Sequence, residues 1–535
     1  MFISQVKKKV NSALKIYKSD GFNGIKNHIR FLKYNIKSRK DYQKWIKKNI
    51  ITQDNQNEIS NEINNLKQQP LISILMPVYN VDEKWLRLCI ESVINQIYRN
   101  WELCIADDCS PKPHIRKVLE EYLIQDSRIK VVFREKNGHI SAASNSALEL
   151  ATGEFSVLLD HDDELSEDAL FYVAKELNDF PQTAMIYSDE DMIDQRGNRF
   201  DPKFKPDWSP DLFLSLNMIT HLSAYKTSIL RKIGNFEIGA EGSQDYDLAL
   251  RVTEEISEHQ IRHIPRILYH WRAIPGSVAF AASEKSYAHE RAREAIRRHL
   301  ARKNVVAEVS NGVWELHRVK YPFPKDATFD VVSNELDLAS KLNLAAAKSK
   351  ADVLIFIDSS IKFKSEESLL ELASQALRNE IGAVGGRICN SDSTVRNNGI
   401  LIGINGLIGF SNRGLPKEFG GKFARNQVIQ NFSAVSGVLA VRRELFEELG
   451  GFDEINFENG LFDIDFCLRL REKNYRIVFT PHAEFLQLKN SATENILPIS
   501  KEAEFFKSKW AKVIEKDPYF NQNLDQKCED YSVKL

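Results

Sequence analysis

Cysteine is scarce in this chain of 535 residues: Cys89, Cys104, Cys109, Cys389, Cys467 and Cys528 are the only six, and no two form a CxxC pair. So few, so scattered, they exclude a disulfide framework and point to reduced thiols. Long apolar runs are missing as well. No stretch approaches the roughly 18 residues that a membrane-spanning helix needs. The opening MFISQVKKKV lacks the apolar core of a secretory leader. A cytoplasmic location is therefore expected. Net charge is nearly absent, at −1, yet it is unevenly spread. Residues 1–50 hold 14 Lys or Arg against 2 Asp, so +12 there leaves −13 for the remainder. With 43% hydrophobic and 27% charged residues, the chain reads as globular and not disordered. Its length suggests two to four domains.

The basic head (1–50) has two apolar stripes at helical spacing, Val6, Val10, Leu14, Tyr17 and then Ile25, Ile29, Leu32, Ile36. Two basic amphipathic helices are expected, either packed on the body or lying on an anionic membrane surface. No nucleic-acid reader motif accompanies the charge, so nucleic acid is not expected as a partner. Residues 51–70, polar and rich in Asn and Gln, read as a linker.

From Leu71 the texture changes to alternating strands and helices. LISILMPVYN, WELCIADDCS, IKVVFRE and FSVLLD are apolar runs ending in turns, and amphipathic segments separate them. Such alternation predicts an α/β domain with a mostly parallel sheet, which binds ligands beyond the carboxyl ends of its strands. The residues with chemistry to offer fall there. Pro77, Tyr79 and Asn80 follow the first strand, Asp107 and Asp108 the second, and LLDHDDEL (158–165) the fourth. A strand-end carboxylate can accept hydrogen bonds from a nucleobase or a ribose. A D-x-D pair such as Asp160 and Asp162 can hold Mg²⁺ or Mn²⁺ through hard oxygen ligands, or it can be a solvated acidic turn. Downstream, GSQDYDLALRV (242–252) predicts a helix with Asp245 near its start, where an acid also suits the helix end itself. IPRILYHWR places His270 and Arg272 at the end of a strand-like run, as candidates to meet a metal or a diphosphate.

Together these segments resemble the family 2 glycosyltransferases of the GT-A fold. ISILMPVYN, ADDCS, NGHISAASNSALELATGEF, LLDHDDEL, GSQDYDLALRV and YHWR follow the family order from about Leu71 to Ala279. The resemblance implies inverting transfer of a sugar from a nucleotide-sugar, UDP- or dTDP-linked, with Mg²⁺ or Mn²⁺. It also implies site roles. Asp245 is the general base. Pro77, Tyr79, Asp107, Asp108, Asn145, Asp160 and Arg272 bind the donor, and Asp160, Asp162 and His270 bind the metal. Two positions depart from the family pattern: Gln244 stands where a Glu is usual, and Ser144 where many members carry Arg.

The chain then repeats itself. LELATGEFSVLLDHDDELSEDAL matches LAAAKSKADVLIFIDSSIKFKSEESL, and GSQDYDLALRV matches the segment around Asp463 and Asp465. Asp358 keeps the place of Asp160, but Ser360 replaces Asp162. The span before Asp358 is too short for the two strands that would bind a nucleotide. The expected organisation is a basic head (1–50), a linker (51–70), a GT-A domain (71–285), a connecting helix (286–313), a truncated, noncatalytic GT-A-like domain (314–515) and a polar tail (516–535). The function that follows is transfer onto a surface glycan or lipid-linked glycan acceptor (capsule, O-antigen or another envelope polysaccharide), peripheral on the inner face of the plasma membrane. The competing readings are a noncatalytic glycan-binding or scaffold protein and a nucleotidyltransferase.

Overall fold

The computed structural model describes residues 25, 26, 28–274, 286–333, 338–488 and 501–535. The stripe at Val6–Tyr17 lies outside them. The chain divides into two compact units: one of residues 46–208 and 213–319, the other of the N-terminal residues up to Trp45 with 209–212 and 320–535.

The first unit is built on a nine-stranded sheet of order β3-β2-β1-β4-β8-β6-β9-β5, with β7 beside β6. Its strands are β1 (Ile72–Val78), β2 (Trp101–Asp107), β3 (Ile129–Phe133), β4 (Phe155–Leu158), β5 (Glu164–Leu165), β6 (Met185–Ile193), β7 (Arg199–Lys203), β8 (Ser223–Lys226) and β9 (Ile261–Arg272). The expected parallel α/β sheet is there: β3, β2, β1 and β4 run parallel, as do β6 and β9. One reversed strand, β8, joins the two parallel sets. β1 and β2 are buried along almost their whole length. Parallel strands are covered on both faces, so their sequences run apolar without alternation. The helix Glu83–Ile94 covers one face with Leu86, Cys89, Ile90 and Val93, at helical spacing. Asp82 caps it by accepting from the Lys84 N–H. Each fully buried aliphatic side chain contributes about 1.5–3 kcal/mol.

Residues 51–70 are not a bare linker. They hold the helix Gln53–Asn65, capped by Thr52, whose Ile59 joins the sheet's core with Ile63 and Leu66 packed against it. One buried residue per three turns is too weak a stripe to show in the sequence.

Glu102 on β2 locks the first three parallel strands to the β4 approach. It accepts from Ser73 Oγ (2.6 Å), Lys130 Nζ (2.6 Å), Thr152 Oγ1 (2.9 Å) and Gly153 N (3.1 Å). A Cβ on Gly153 would lie 2.5 Å from the Leu71 carbonyl, so only glycine fits there. Burial alone would raise the Glu102 pKa. Lys130, Ser73 and Thr152 outweigh it and bring the carboxyl from 4.5 to about 2. A depressed folded pKa gives stability that is present above 4.5 and lost as pH falls toward 2. Glu102→Gln is therefore expected to cost about 3 kcal/mol at neutral pH and much less near pH 3. Urea unfolding at both pH values reads the difference, and an equal cost at both would rule out the ionised carboxylate as its source.

The second unit repeats the first. Its main sheet runs Phe329–Val332, Val353–Ile357, Val438–Arg442, Ile381–Cys389, Arg476–Gln487, Ile361–Phe363. Strand by strand, the pairing directions are those of β1, β4, β8, β6, β9 and β5. No strand extends this sheet beyond Phe329–Val332, where β2 and β3 flank β1 in the first unit, among the described residues. A helix over residues 28–48 precedes the first unit in the chain, and its residues up to Trp45 belong to this second one. Residues 516–535 are no loose tail: Asp517, Tyr519, Phe520, Leu524, Tyr531 and Val533 are all buried.

Candidate functional site

The carboxyl ends of β1, β2 and β4 open on a cavity of about 840 Å³. Of the expected site residues, Pro77, Tyr79, Asp108, Asp160, Asp162, Asp245 and Arg272 line it. Left-handed backbone at Asn80 (φ 56°) and Cys109 (φ 59°) turns the chain away directly after β1 and β2. Asp108 then accepts from Gly138 N at 2.9 Å, with Arg134 Nη1 at 3.4 Å. Asp107 is buried, does not line the cavity and accepts from Ser110 N at 3.3 Å.

The turn after β4 sorts its acids. Asp163 is buried and spoken for, with Tyr269 OH (2.7 Å) and Arg272 N (2.7 Å) donating to it. All three line the cavity, but Asp160 and Asp162 are not tied to β9 in this way. Removal from water raises the Asp162 pKa, His161 opposes the rise, and the Asp160 charge adds to it. Arg272 braces the turn through Asp162 O (2.8 Å), an ion pair with Glu164, and the Trp85 ring at 4.5 Å.

Asp245 lies in the first turn of the helix Gln244–Glu255 and accepts from Asn217 Nδ2 at 2.8 Å. Loss of water contact pushes its pKa up, His221 pulls it down, and Asp160 pushes it up again. A carboxylate held above its usual range, in a cavity, suits proton abstraction.

Two expected contacts are overturned. His270 does not face the cavity: its Nδ1 meets Asp191 Oδ1 at 2.5 Å, and in the β5–β9 register it stands across from Glu164. Its neighbours Trp271 and Arg272 both line the cavity, while the bond to Asp191 on the adjacent strand holds His270 off it. Asn145 also stays away from the cavity, its amide spent on the Phe236 backbone in both directions (2.9 Å each).

The histidine that does reach the acids is His221, which the sequence reading missed. Its Nε2 is 3.6 Å from Asp160 Oδ2, and its ring stacks on Tyr269 at 4.4 Å. A buried pair holds its backbone. Glu190 accepts from His221 N (3.1 Å) and Thr220 Oγ1 (2.6 Å), and Lys205 Nζ donates to Ile219 O (2.6 Å) and His221 O (2.8 Å). No local motif marks NMITHLSAY; the signal lies in Lys205 and Glu190, 16 and 31 positions before His221.

The donor chemistry fits a divalent ion in one way only. No group of three His, Cys, Asp or Glu converges on a metal position among the described residues. Asp160, Asp162 and His270 thus do not form a three-ligand cage. Two carboxylates on one cavity wall fit a hard cation held by one or two protein oxygens and completed by phosphate and water.

In the second unit the corresponding acids serve the fold. Asp358 accepts from Ser360 N (2.8 Å), and Asp463 from Gly437 N (3.1 Å). Asp465 is buried between Arg469 (2.9 Å), Lys509 (2.7 Å) and the Trp510 indole N–H (2.9 Å).

Comparison with known proteins places this geometry. Residues 73–234 match the family model "Glycosyl transferase family 2". An uncharacterized protein of Sinorhizobium fredii is 34% identical over 88% of this chain and 60% of its own length. An O-antigen biosynthesis protein of Myxococcus xanthus is 30% identical over 88% of this chain and 41% of its own. The chain thus spans 60% and 41% of these two relatives. A putative colanic acid biosynthesis glycosyl transferase of Escherichia coli is 31% identical over 36% of this chain and 70% of its own length. The family model covers the strands that carry Asp108, Asp160 and Asp162, and most of the colanic acid relative aligns with the chain: the chain belongs to glycosyl transferase family 2.

Proposed function

We propose that this chain transfers a sugar, with inversion, from a nucleoside-diphosphate sugar to a hydroxyl of a cell-envelope glycan. The observation that carries this reading is that Asp160, Asp162 and Asp245 line one cavity. Asp108 accepts hydrogen bonds from the base or ribose, against the wall of Pro77 and Tyr79. Asp160 and Asp162 hold Mg²⁺ or Mn²⁺, which as a Lewis acid would neutralise the departing diphosphate. Arg272 adds positive charge beside that position. Asp245 takes the proton from the attacking hydroxyl. With the base acting on the acceptor and no enzyme nucleophile needed, the anomeric configuration inverts. The relatives named for O-antigen and colanic acid synthesis support an envelope glycan as acceptor.

No helix among the described residues is long and apolar enough to cross a membrane. The basic helix 28–48 does leave Ile29, Leu32 and Ile36 exposed at spacings of three and four. We read that stripe, with its lysines, as a contact for an anionic membrane surface. The second unit we read as noncatalytic.

Titration calorimetry with UDP and with dTDP, with and without Mn²⁺, tests the cation's place. One of the two is expected to bind at least about tenfold tighter with Mn²⁺, and Asp162→Asn is expected to remove that gain. Binding equally tight without the ion, or a gain untouched in Asp162→Asn, would refute the assignment. A panel of UDP- and dTDP-sugars inert to both hydrolysis and transfer would refute the transferase.

A further inference from the structure

Part of the cavity wall comes from outside the residues that match the family model. The helix Ser286–Arg302 and the turn before the strand His317–Lys320 contribute Tyr287, His289, Glu315 and His317. They are fixed against the helix that carries Asp245. Ser243 Oγ donates to Ala288 O at 2.7 Å, Arg298 reaches Asp247 at 3.4 Å, and His299 Nδ1 meets Glu254 at 2.7 Å. Gly242 (φ +91°) allows the close approach, since a Cβ there would lie 2.9 Å from the Tyr287 ring.

The turn itself is strained. Trp314 (φ 56°) and Glu315 (φ 62°) are consecutive non-glycine residues in left-handed backbone. Such residues cost about 1–3 kcal/mol each and concentrate at functional sites. The turn presents Glu315 and His317 to the cavity. His317 stacks on Tyr246 at 5.9 Å and 18°. It is 8% exposed, and its enclosed Nδ1 has no hydrogen-bond partner among the described residues. Burial, then the charges of Arg293 and His289, bring its pKa down to about 3. The ring is therefore neutral at neutral pH. With Nδ1 carrying the lone pair, Nε2–H is left to donate.

This group holds two phenol rings, two imidazoles and one carboxylate; Arg293 behind it pairs with Glu315 (3.7 Å) and Glu290 (2.9 Å) and does not line the cavity. The group offers nothing to a diphosphate. Flat aromatic faces with a few hydrogen-bonding groups suit an uncharged, hydroxyl-rich ring. Tyr246 directly follows Asp245, so a ring seated here brings its hydroxyl to the base.

We propose that Tyr246, Tyr287, His289, Glu315 and His317 form the subsite for the acceptor sugar, with His317 donating from Nε2 to one of its hydroxyls and Glu315 accepting from another. This rests on the transferase reading above. The test uses the full chain, a panel of UDP- and dTDP-sugars as donors and a panel of p-nitrophenyl glycosides as acceptors. In His317→Phe, which keeps a stacking ring, the acceptor KM is expected to rise about tenfold, the equivalent of one hydrogen bond, while the donor KM stays within about twofold. Glu315→Gln, at a half-exposed position where it keeps the shape and gives up only the 3.7 Å pair with Arg293, is expected to shift the same constant in the same direction. An unchanged acceptor KM in both variants overturns the subsite, as does an equal rise in donor KM. So does a wild-type protein that hydrolyses a donor but responds to no glycoside. A wild type that neither hydrolyses nor transfers any donor instead removes the transferase reading, and the subsite falls with it.

Discussion

Asp245→Asn is expected to lower kcat by about 10²- to 10⁴-fold, the usual contribution of a positioned general base, and to leave the nucleotide affinity nearly unchanged. The substitution keeps shape and size. Its amide oxygen can still accept from Asn217 Nδ2, which now meets Asp245 Oδ2 at 2.8 Å. What it loses is the ability to take a proton. Asp245 bonds Asn217 and Asp108 bonds Gly138, so the two share no partner and nucleotide binding is expected to change little. Because removal from water raises the Asp245 pKa, the wild-type rate should fall on the acid side as that carboxylate protonates, and the variant's residual rate should lack this limb. Steady-state rates across pH, with UDP and dTDP affinities by calorimetry, give both readings. A variant within tenfold of wild type would move the base elsewhere.

Lys205→Met is expected to destabilise the first unit by about 3 kcal/mol, the cost of removing one partner from a buried charge cluster and leaving two buried carbonyls without their donor. Lys205 is fully buried, and its ammonium lies 3.0 Å from Glu190 Oε2. Burial would raise the Glu190 pKa; Lys203 and Lys205 together drive it far below the usual carboxylate range. Without Lys205 the carboxylate keeps Lys203 at 2.7 Å, but the carbonyls of Ile219 and His221 lose their donor. Those carbonyls belong to the loop that presents His221 to Asp160, so loss of activity should accompany loss of stability. Glu190→Gln in the Lys205→Met background should cost further stability, because Lys203 then loses its carboxylate. Chemical denaturation of the three proteins decides: a Lys205→Met cost below about 1 kcal/mol would mean that the pair does not clamp the loop.

The parallel strands and their terminal acids were legible because burial on both faces writes continuous apolar runs, and each run stops at a turn. ISILMPV, WELCIAD and FSVL gave β1, β2 and β4, and with them Pro77, Asp108, Asp160 and Asp162. QDYDLALRV gave the helix of Asp245. The repeat was legible for the same reason, down to the counterparts of β2 and β3, which the second unit lacks among the described residues. His221 was hidden because its position is set by Glu190 and Lys205, distant in sequence and buried in pairs, and no periodicity records such a pair. His270 was misassigned although YHWR was correctly read as a strand end: its Nδ1 is taken by Asp191, 79 positions earlier, and no local pattern records that pair. Residues 51–70 and 516–535 looked polar because a single stripe residue, Ile59, or scattered aromatics such as Tyr519 and Tyr531 anchor them.

The helix over residues 28–48 is made before either sheet, yet up to Trp45 it belongs to the unit completed by residues 320–535. Tyr34 OH donates to the carbonyl of Asp530 at 2.7 Å, 496 positions later. At a ribosomal pace of about 5–20 residues per second, roughly 25–100 s separate the emergence of these two partners. For that interval the nascent chain carries a basic segment whose docking face does not yet exist, and the unit bearing the cavity, complete at residue 319, is finished before that face is.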